Sequence, residues 1–377
     1  MDVFKLNDNL LNYNDNIGIV LGAYVNSLHI IRNLGSKSIP VVCISKNKDG
    51  IGKKSKYTSQ FFNVDYVMDE KELFRALILI GKQLNKPGVL YPTADEHVQV
   101  LTDHYSDLSK YYYIAVNPDN NEKVTSKEYQ YKLCDKIGVD YPQSFYLKSE
   151  DDIENLYNSQ NDIQYPLIIK PFSKVDVSQN LFRVKEIHNK EQLRDAKALI
   201  TDNIKVGFLV SEIIPGEPNQ LWTYGSYCSE NSEVVAGFSG KKLTQRPYYF
   251  GVFSTARYEK NERVEEQSKK LLKAINHVGL SQVEFKYDYR DDKYKLMEIN
   301  PRYWMWHGVG IKDNMSLALV HYYHITGKYD ELNKLNLNQN SKTATIVFMA
   351  TEFFNILDNK PRRKFIKNFF KSLLSKN

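Results

Sequence analysis

Cysteine is scarce in this chain. Cys43, Cys134 and Cys228 are the only three in 377 residues, they lie far apart, and none has a neighbour at a metal-ligand spacing. So sparse and odd a set excludes a disulfide framework and predicts free thiols in a reducing compartment. Long apolar runs are missing too: no stretch reaches about 18 uncharged apolar residues, the length a membrane-spanning helix needs. The start, Met1-Asp2-Val3-Phe4-Lys5-Leu6-Asn7-Asp8, lacks the basic residues and apolar core of a signal peptide. Together these absences predict a cytoplasmic protein. The eight histidines form no metal or triad pattern, and His307 reads as structural. A complete G-x-G-x-x-G is absent; only Gly18 and Gly22 fall in the first apolar run, which argues against a dinucleotide site and a nicotinamide-dependent oxidoreductase. No internal repeat or low-complexity tract interrupts the chain.

Positive charge is nearly absent as a surplus from the body of the protein. The net charge is +6, but Lys360, Arg362, Arg363, Lys364, Lys367, Lys371 and Lys376 supply seven basic residues with no acid among them. Without them the balance is 44 basic to 45 acidic residues, a net of −1. That excludes a protein-wide nucleic-acid surface.

What is present is an ordinary globular composition, 42% hydrophobic and 25% charged, long enough for two or three subdomains around a shared cleft. Residues 17–23, 27–34 and 39–44 read as strand, helix and strand, the opening of a parallel sheet. Residues 70–84 have amphipathic spacing, and the strand 88–92 leads into Thr93-Ala94-Asp95-Glu96-His97. This acidic turn has two readings: a helix cap by Thr93 or Asp95, or a ligand loop at the carboxyl end of a strand. A helix over 126–137 is closed by Gly138 and Pro142. A small inserted unit follows, with an apolar strand over 166–171 closed by Lys170-Pro171, a strand near 181–184 and a helix near 190–200. Strands are expected at 207–210, 221–227 and 233–238, a turn at Pro215-Gly216 and a helix over 263–278. Two last strands, 281–289 and 294–299, are joined by the turn Arg290-Asp291-Asp292-Lys293.

The last two strands carry the chemistry. Alternation puts Glu284, Lys286 and Asp288 on one face, and Leu296, Glu298 and Asn300 on one face of the other strand. If the strands pair, Glu284 opposes Glu298, and two half-buried carboxylates repel unless a cation or proton lies between them. Magnesium takes such oxygen ligands together with phosphate oxygens and water. Arg302, after Pro301, can hold a γ-phosphate or a carboxylate in a bidentate pair. The alternative is a solvated ladder with Arg302 as its ion-pair partner. Upstream, Lys170 ends an apolar strand and Lys127 begins a helix, where a lysine opposes the helix dipole. Both placements make sense if each lysine meets a nucleotide phosphate.

The order Lys127, Lys170-Pro171, Glu212-x-x-x-Gly216, Glu284, Glu298-x-Asn300-x-Arg302 resembles the ATP-grasp superfamily, and within it the carboxylate–amine ligases that include D-aspartate ligases. Tyr91-Pro92-Thr93-Ala94-Asp95-Glu96 and Lys241-Lys242-Leu243-Thr244-Gln245-Arg246-Pro247 resemble further segments of that subgroup, and the similarity spans roughly residues 15–325. The resemblance implies a mixed α/β (α+β) protein. It would have an N-terminal Rossmann-like parallel-sheet domain over 1–122, an ATP-grasp domain over 123–330 with a small lid at about 150–205 and a C-terminal mixed sheet, and an extension over 331–377. It implies ATP and magnesium, or manganese in its place, as cofactors, with a small-molecule carboxylate and an amine as substrates. Lys127 and Lys170 would contact the phosphates. The Glu212 carbonyl and Ile214 N–H would read the adenine edge, and Glu217 or Asn219 would hold the ribose. Glu284, Glu298 and Asn300 would bind one or two metal ions. Arg302 would steady the γ-phosphate or an acylphosphate. Arg246 and Lys242 would face the carboxylate substrate, a surface salt bridge being the other reading of Lys242. One departure stands out: the loop 171–180 has no glycine, so Ser173, Lys174, Ser178 or Lys185 would have to replace backbone contacts to phosphate. That departure leaves a second function open, a non-catalytic or weakly active ATP-binding sensor of the same fold. Carbamoyl-phosphate-type chemistry is disfavoured by the single copy of the motif set.

The tail has two readings. Phe365, Ile366, Phe369, Phe370, Leu373 and Leu374 recur at helical spacing with lysines between them. Such a helix either docks on the body or rests on the inner membrane surface, so residues 360–377 are a candidate for peripheral membrane contact. Nothing in the sequence sets the oligomeric state.

Overall fold

The computed structural model describes residues 4–66, 70–159, 163–172, 184–248, 251–313, 315–335, 337 and 343–357. Its strands fall into three sheets. The first holds β1 (Gly18–Leu21), β2 (Val41–Ser45), β3 (Gln60–Asn63), β4 (Gly88–Tyr91) and β5 (Tyr112–Tyr113) in the order β3-β2-β1-β4-β5, all parallel. The second holds β6 (Ser144–Leu147), β7 (Leu167–Pro171), β8 (Lys185–Ile187) and β9 (Phe208–Glu212) in the order β6-β9-β7-β8, antiparallel. The third holds β10 (Leu221–Cys228), β11 (Val234–Arg246), β12 (Val252–Tyr258), β13 (Gly279–Asp288), β14 (Lys293–Asn300) and β15 (Ala344–Val347) in the order β14-β13-β10-β11-β12-β15.

The described residues cluster into two units. One comprises 1–137, 217–285 and 298–377; the other comprises 138–216 and 286–297. In the first unit the parallel strands are apolar on both faces, as a sheet covered on both sides requires. Ile19, Leu21, Val42, Ile44 and Leu90 pack with Leu73, Leu77, Ile80 and Leu101 of the helices Lys71–Gly81 and Asp95–Asp103. Val20, Val41, Cys43, Val89 and Tyr91 belong to a second core, shared with Tyr227, Phe238, Tyr258, Trp304 and Trp306 of the C-terminal sheet and the segment after it. The helix Leu317–Ile325 is buried almost all round, which explains why it shows no amphipathic signal. It is tied to the N-terminal part by Tyr91 Oη–H to the Ala318 carbonyl, 3.2 Å, and Tyr322 Oη–H to the Asn16 carbonyl, 2.6 Å.

The strand order reverses between β1 and β4, so the loops after these strands flank the switch point where open α/β sheets bind ligands. The loop after β4 is Pro92–Glu96. It is fixed from three sides: Thr93 Oγ1–H donates to the Leu21 carbonyl, the Thr93 N–H to His97 Nδ1, and Asn26 Nδ2–H to the Thr93 carbonyl. The helix cap expected from Thr93 or Asp95 is not formed. Ala94 is the N-cap and no side chain bonds to the first turn, because Thr93 is spent on β1.

In the second unit the helices Glu150–Asn158 and Lys190–Asp202 cover one face of the four-stranded sheet, burying Leu167, Ile169, Ile187, Phe208 and Val210 against Ile153, Leu156, Leu193 and Ile200. Both helices begin as the sequence dictates, with Ser149 in a capping box with Asp152 and Asn189 accepting from the Gln192 N–H. The lid expected at 150–205 falls inside this unit. Elsewhere the sequence reading misses length: β11 runs through Arg246 rather than ending at 238, and β12 and β15 were not foreseen. The glycine-free stretch 173–180, the strand expected near 181–184 (Val184 aside) and the basic tail 360–377 lie outside the described residues.

Candidate active site

A cavity of about 450 Å³ lies wholly in the first unit. Its floor is the paired end of β13 and β14. β13 and β14 are neighbours in the sheet, and Glu284 and Glu298 lie near enough there for each to shift the other's titration. Gln282 Nε2–H donates to Glu284 Oε1 at 3.0 Å, and Asn300 Nδ2–H to Glu298 Oε1 at 3.1 Å. Burial pushes the Glu284 carboxyl up to about 7, and the charge of Glu298 adds to the rise while Lys242 and Arg302 oppose it. Burial also disfavours the Glu298 anion, but the hydrogen bond from Glu284, the charge of Lys127 and the Asn300 amide together hold it below the usual glutamate value. Two carboxylates side by side in a half-buried floor, with an amide oxygen beside them, are a donor set suited to a hard divalent cation. Among the described residues no group of three or more His, Cys, Asp or Glu side chains is placed to hold a metal, so the site rests on two carboxylates and an amide.

Arg302 is not the ion-pair partner of these glutamates. Its Nε–H donates to Asp95 Oδ1 at 2.7 Å and its Nη2–H to Asn300 Oδ1 at 3.1 Å. The Tyr303 N–H donates to the Pro92 carbonyl at 3.3 Å, which ties the same two segments a second time. The acidic loop after β4 therefore lines the cavity and orients the guanidinium: Asp95 is a site residue whose geometry the sequence alone left open. Glu96 also lines the cavity and is bound to Lys46 at 2.5 Å. Lys242 is buried in the lining beside the carboxylates, its Nζ 3.3 Å from Gln245 Oε1, so the surface salt bridge is excluded. Arg246 lies outside the lining. It ends β11, and its guanidinium sits 5.3 Å from the centre of the Phe354 ring. The far wall is apolar, formed by Val252, Phe253, Trp304, Met305 and Trp306. Trp304 fits only because position 225 is glycine, where a Cβ would come within 2.0 Å of the indole. His307 is structural, as expected: it is buried, its Nε2 is 2.9 Å from the Asn26 carbonyl, and burial drives its pKa down to about 3.

Lys127 is the first residue of the helix Lys127–Ile137, and its charge acts on Glu298. Glu217 is exposed and Asn219 sits exposed in the 3-10 turn Pro218–Gln220, so both are open to solvent on one short segment.

In the second unit Lys170 pairs with Leu209 on the face away from the helices, next to Ile168 and Ser211. Lys185 lies opposite Ile169, which places it on the helix-covered face instead. The register therefore separates the two lysines, and Lys185 does not join Lys170. Alternation along a strand is the physical reason, since a one-residue offset reverses the face. The Glu212 side chain is buried and accepts from Gln143 N–H at 3.0 Å, Lys295 Nζ at 3.0 Å and Arg290 Nη2 at 2.9 Å. Lys295 and Arg290 are held in turn by Asp288, at 2.8 and 2.5 Å. Two positive partners hold the Asp288 carboxyl far below the usual carboxylate range despite its burial. This network clamps the strand end from which residues 212–214 emerge. Ile214 is buried, and among the described residues its N–H meets no acceptor. The sequence read 290–293 only as a turn; a lysine on β14 between apolar neighbours was the available sign of an ion network.

These arrangements have counterparts. No family model matches the chain. N5-carboxyaminoimidazole synthetase from Staphylococcus aureus, solved with ADP, superposes with a TM-score of 0.65 at 16% identity, covering 93% of this chain and 87% of that one. The chain has the ATP-grasp fold. L-amino acid ligase from Bacillus licheniformis shares it, with a TM-score of 0.64 at 11% identity over 90% of this chain and 81% of the other. In sequence, this chain is 23% identical over 301 residues to D-aspartate ligase of Enterococcus faecium (strain Aus0004), covering 76% of this chain and 71% of that protein. Its resemblance to ATP-grasp ligases thus appears in sequence and in fold.

Proposed function

We propose that this protein is an ATP- and magnesium-dependent carboxylate–amine ligase that forms an amide bond through an acylphosphate. The observation that carries the reading is the Glu284–Glu298 pair at the floor of a cavity that also holds Lys242 and an oriented Arg302. A sequence relative is a D-aspartate ligase, and the similar folds include an L-amino acid ligase and a synthetase solved with ADP. Magnesium held by Glu284, Glu298 and Asn300 would supply charge neutralisation for the triphosphate. Lys127 and Lys170 bind phosphate oxygens, residues 212–214 bind the adenine edge through backbone groups, and Glu217 or Asn219 binds the ribose. Arg302, fixed by Asp95 and Asn300, holds its remaining N–H groups toward the transferring phosphoryl group. Lys242 sets the substrate carboxylate in line with the γ-phosphorus. The carboxylate oxygen attacks phosphorus and ADP leaves. The amine nitrogen then attacks the acyl carbon, the C–O bond to phosphate breaks, and the amine proton passes to solvent or the departing phosphate. Catalysis is positioning and charge stabilisation, with no protein nucleophile. A screen of acid and amine pairs should reveal magnesium-dependent ADP release above the ATP-alone background. ATP binding without release for any pair would instead favour the sensor.

The same proposal places residues 360–377 against the inner membrane surface. What supports it is their run of seven basic residues and, next to them in sequence, the helix Met349–Leu357 with Phe353, Phe354 and Leu357 half-exposed. Co-sedimentation with anionic vesicles should fall about tenfold when residues 360–377 are removed; equal binding would reject the contact. Among the described residues no helix is long and apolar enough to cross a membrane.

A further inference from the structure

The helix Met349–Leu357 packs inside out. Its polar side is buried: Glu352 is 0% exposed and Asn355 6%. Thr244 Oγ1–H of β11 donates to Glu352 Oε2 at 2.8 Å. Asn355 Nδ2–H reaches Ser254 Oγ of β12 at 3.0 Å and Glu352 Oε2 at 3.2 Å. The Phe348 N–H, just before the helix, donates to the Ser254 carbonyl at 2.7 Å. Hydrogen bonds to the sheet thus fix which side of the helix faces inward. The side left outward is apolar, with Phe353, Phe354 and Leu357 exposed by 50%, 51% and 55% and Met349 by 36%. A helix facing water shows the reverse arrangement, and an exposed apolar patch of this kind marks an interaction surface.

The patch continues to the cavity. The Arg246 guanidinium lies 5.3 Å from the centre of the Phe354 ring, and Arg246 stands opposite Val252 in the β11–β12 ladder. Val252 is 60% exposed and lines the cavity. The charge around the patch selects what covers it. Glu352 is the only acid of the helix and is buried, so the outward face carries no negative group. Arg246 adds a cation at its edge, and Lys360, three positions beyond Leu357, opens the run of seven basic residues without an acid. A second copy seated on the same face would bring two such runs together. The chain's own basic tail would meet no opposing charge on the outward face. An anionic bilayer matches both features: it takes the apolar side chains at headgroup depth and attracts the basic residues beside them.

We infer that the outward face of the helix Met349–Leu357 is a docking surface for an anionic membrane, and that docking seats the cavity rim at Val252 against the bilayer. This rests on the membrane contact proposed for residues 360–377 and adds to it a folded surface and an orientation.

The test uses the full chain and vesicles of phosphatidylglycerol and phosphatidylcholine. The double variant Phe353→Gln, Phe354→Gln should lower co-sedimentation by at least about tenfold, because two interfacial phenylalanines are lost while every basic residue remains. Leu357→Gln leaves the Arg246–Phe354 contact in place and should lower binding in the same direction. Unchanged binding in both variants overturns the inference, whereas the tail contact is judged separately by removing residues 360–377. A dimer that the double variant dissociates also overturns it, since a second copy would then cover the face. Orientation is read with an environment-sensitive dye. Cys43, Cys134 and Cys228 are buried, so a dye on Val252→Cys reports position 252. Its emission should shift to the blue when vesicles are added. The same dye on Leu79→Cys should not respond, because the helix Lys71–Gly81 covers the face of the parallel sheet away from the C-terminal sheet. No shift at 252, or an equal shift at both positions, overturns the seating of the cavity.

Discussion

Glu298→Gln should lower magnesium-dependent ADP formation by about 10²–10³-fold, the range seen when one group that stabilises transition-state charge is removed. Glutamine keeps the shape and can still accept from the Asn300 amide, so the loss would report charge and not packing. The same variant should lose some stability at neutral pH when magnesium is absent, because the folded state favours the Glu298 anion through Glu284, Lys127 and the Asn300 amide and glutamine carries no charge for them to hold. The pH dependence follows. The folded protein keeps a proton on Glu284 up to about pH 7, whereas the unfolded chain releases it near 4.5. The folded state binds more protons in that window, so stability from this group falls as pH rises from 4.5 to 7. Glu298→Gln should flatten that slope. Thermal melts across the window with and without magnesium, beside ADP assays, check all three effects. Undiminished turnover in the variant would reject the metal assignment.

Lys295→Met should destabilise the second unit by about 3–5 kcal/mol, the cost of removing one partner from a buried ion pair. Lys295 is 9% exposed and lies between Glu212, 3% exposed, and Asp288, fully buried. Methionine fills the space of the lysine stem and leaves two buried carboxylates with Arg290 alone. Urea unfolding of the variant measures the loss. Because Glu212 begins the segment proposed to read adenine, KM for ATP should rise more than kcat falls. A stability change within about 0.5 kcal/mol would show that the pair is solvated and the clamp absent. Neither carboxylate–cation distance depends on a ligand, so this prediction is independent of the substrate.

Much of the architecture could be read from patterning. Buried strands 18–21, 41–45 and 88–91 are short β-rich runs bounded by turn residues, and the helices 71–81, 127–137, 190–202 and 262–274 lie within a few residues of where spacing, and for 127–137 the stop at Gly138, put them. The helix Leu317–Ile325 escaped because a segment buried on every side has no amphipathic period to read. β12 and β15 escaped because their runs, Val252–Tyr258 and Ala344–Val347, alternate less cleanly than β13, whose polar and apolar residues take turns from Gln282 to Asp288. In the site, Glu284, Glu298, Asn300 and Arg302 sit on two adjacent strands a short turn apart, so their meeting followed from local alternation. Asp95 lies 207 positions from Arg302, and only the fold sets that separation to 2.7 Å.

The sequence by itself determined the short-range facts: which strands alternate, where the amphipathic helices lie, and that two glutamates on adjacent strands would need a cation or a proton between them. The tertiary structure decided the long-range ones. It sent Arg302 to Asp95 rather than to the glutamates, buried Lys242 within the cavity, turned Arg246 toward Phe354 and put Lys170 and Lys185 on opposite faces of one sheet. The physical reason is periodicity. A repeat of two or 3.6 residues fixes which way a side chain leaves its own element, but which charge it meets depends on strand register and crossover order. Those are set by how apolar faces from distant parts of the chain close on one another.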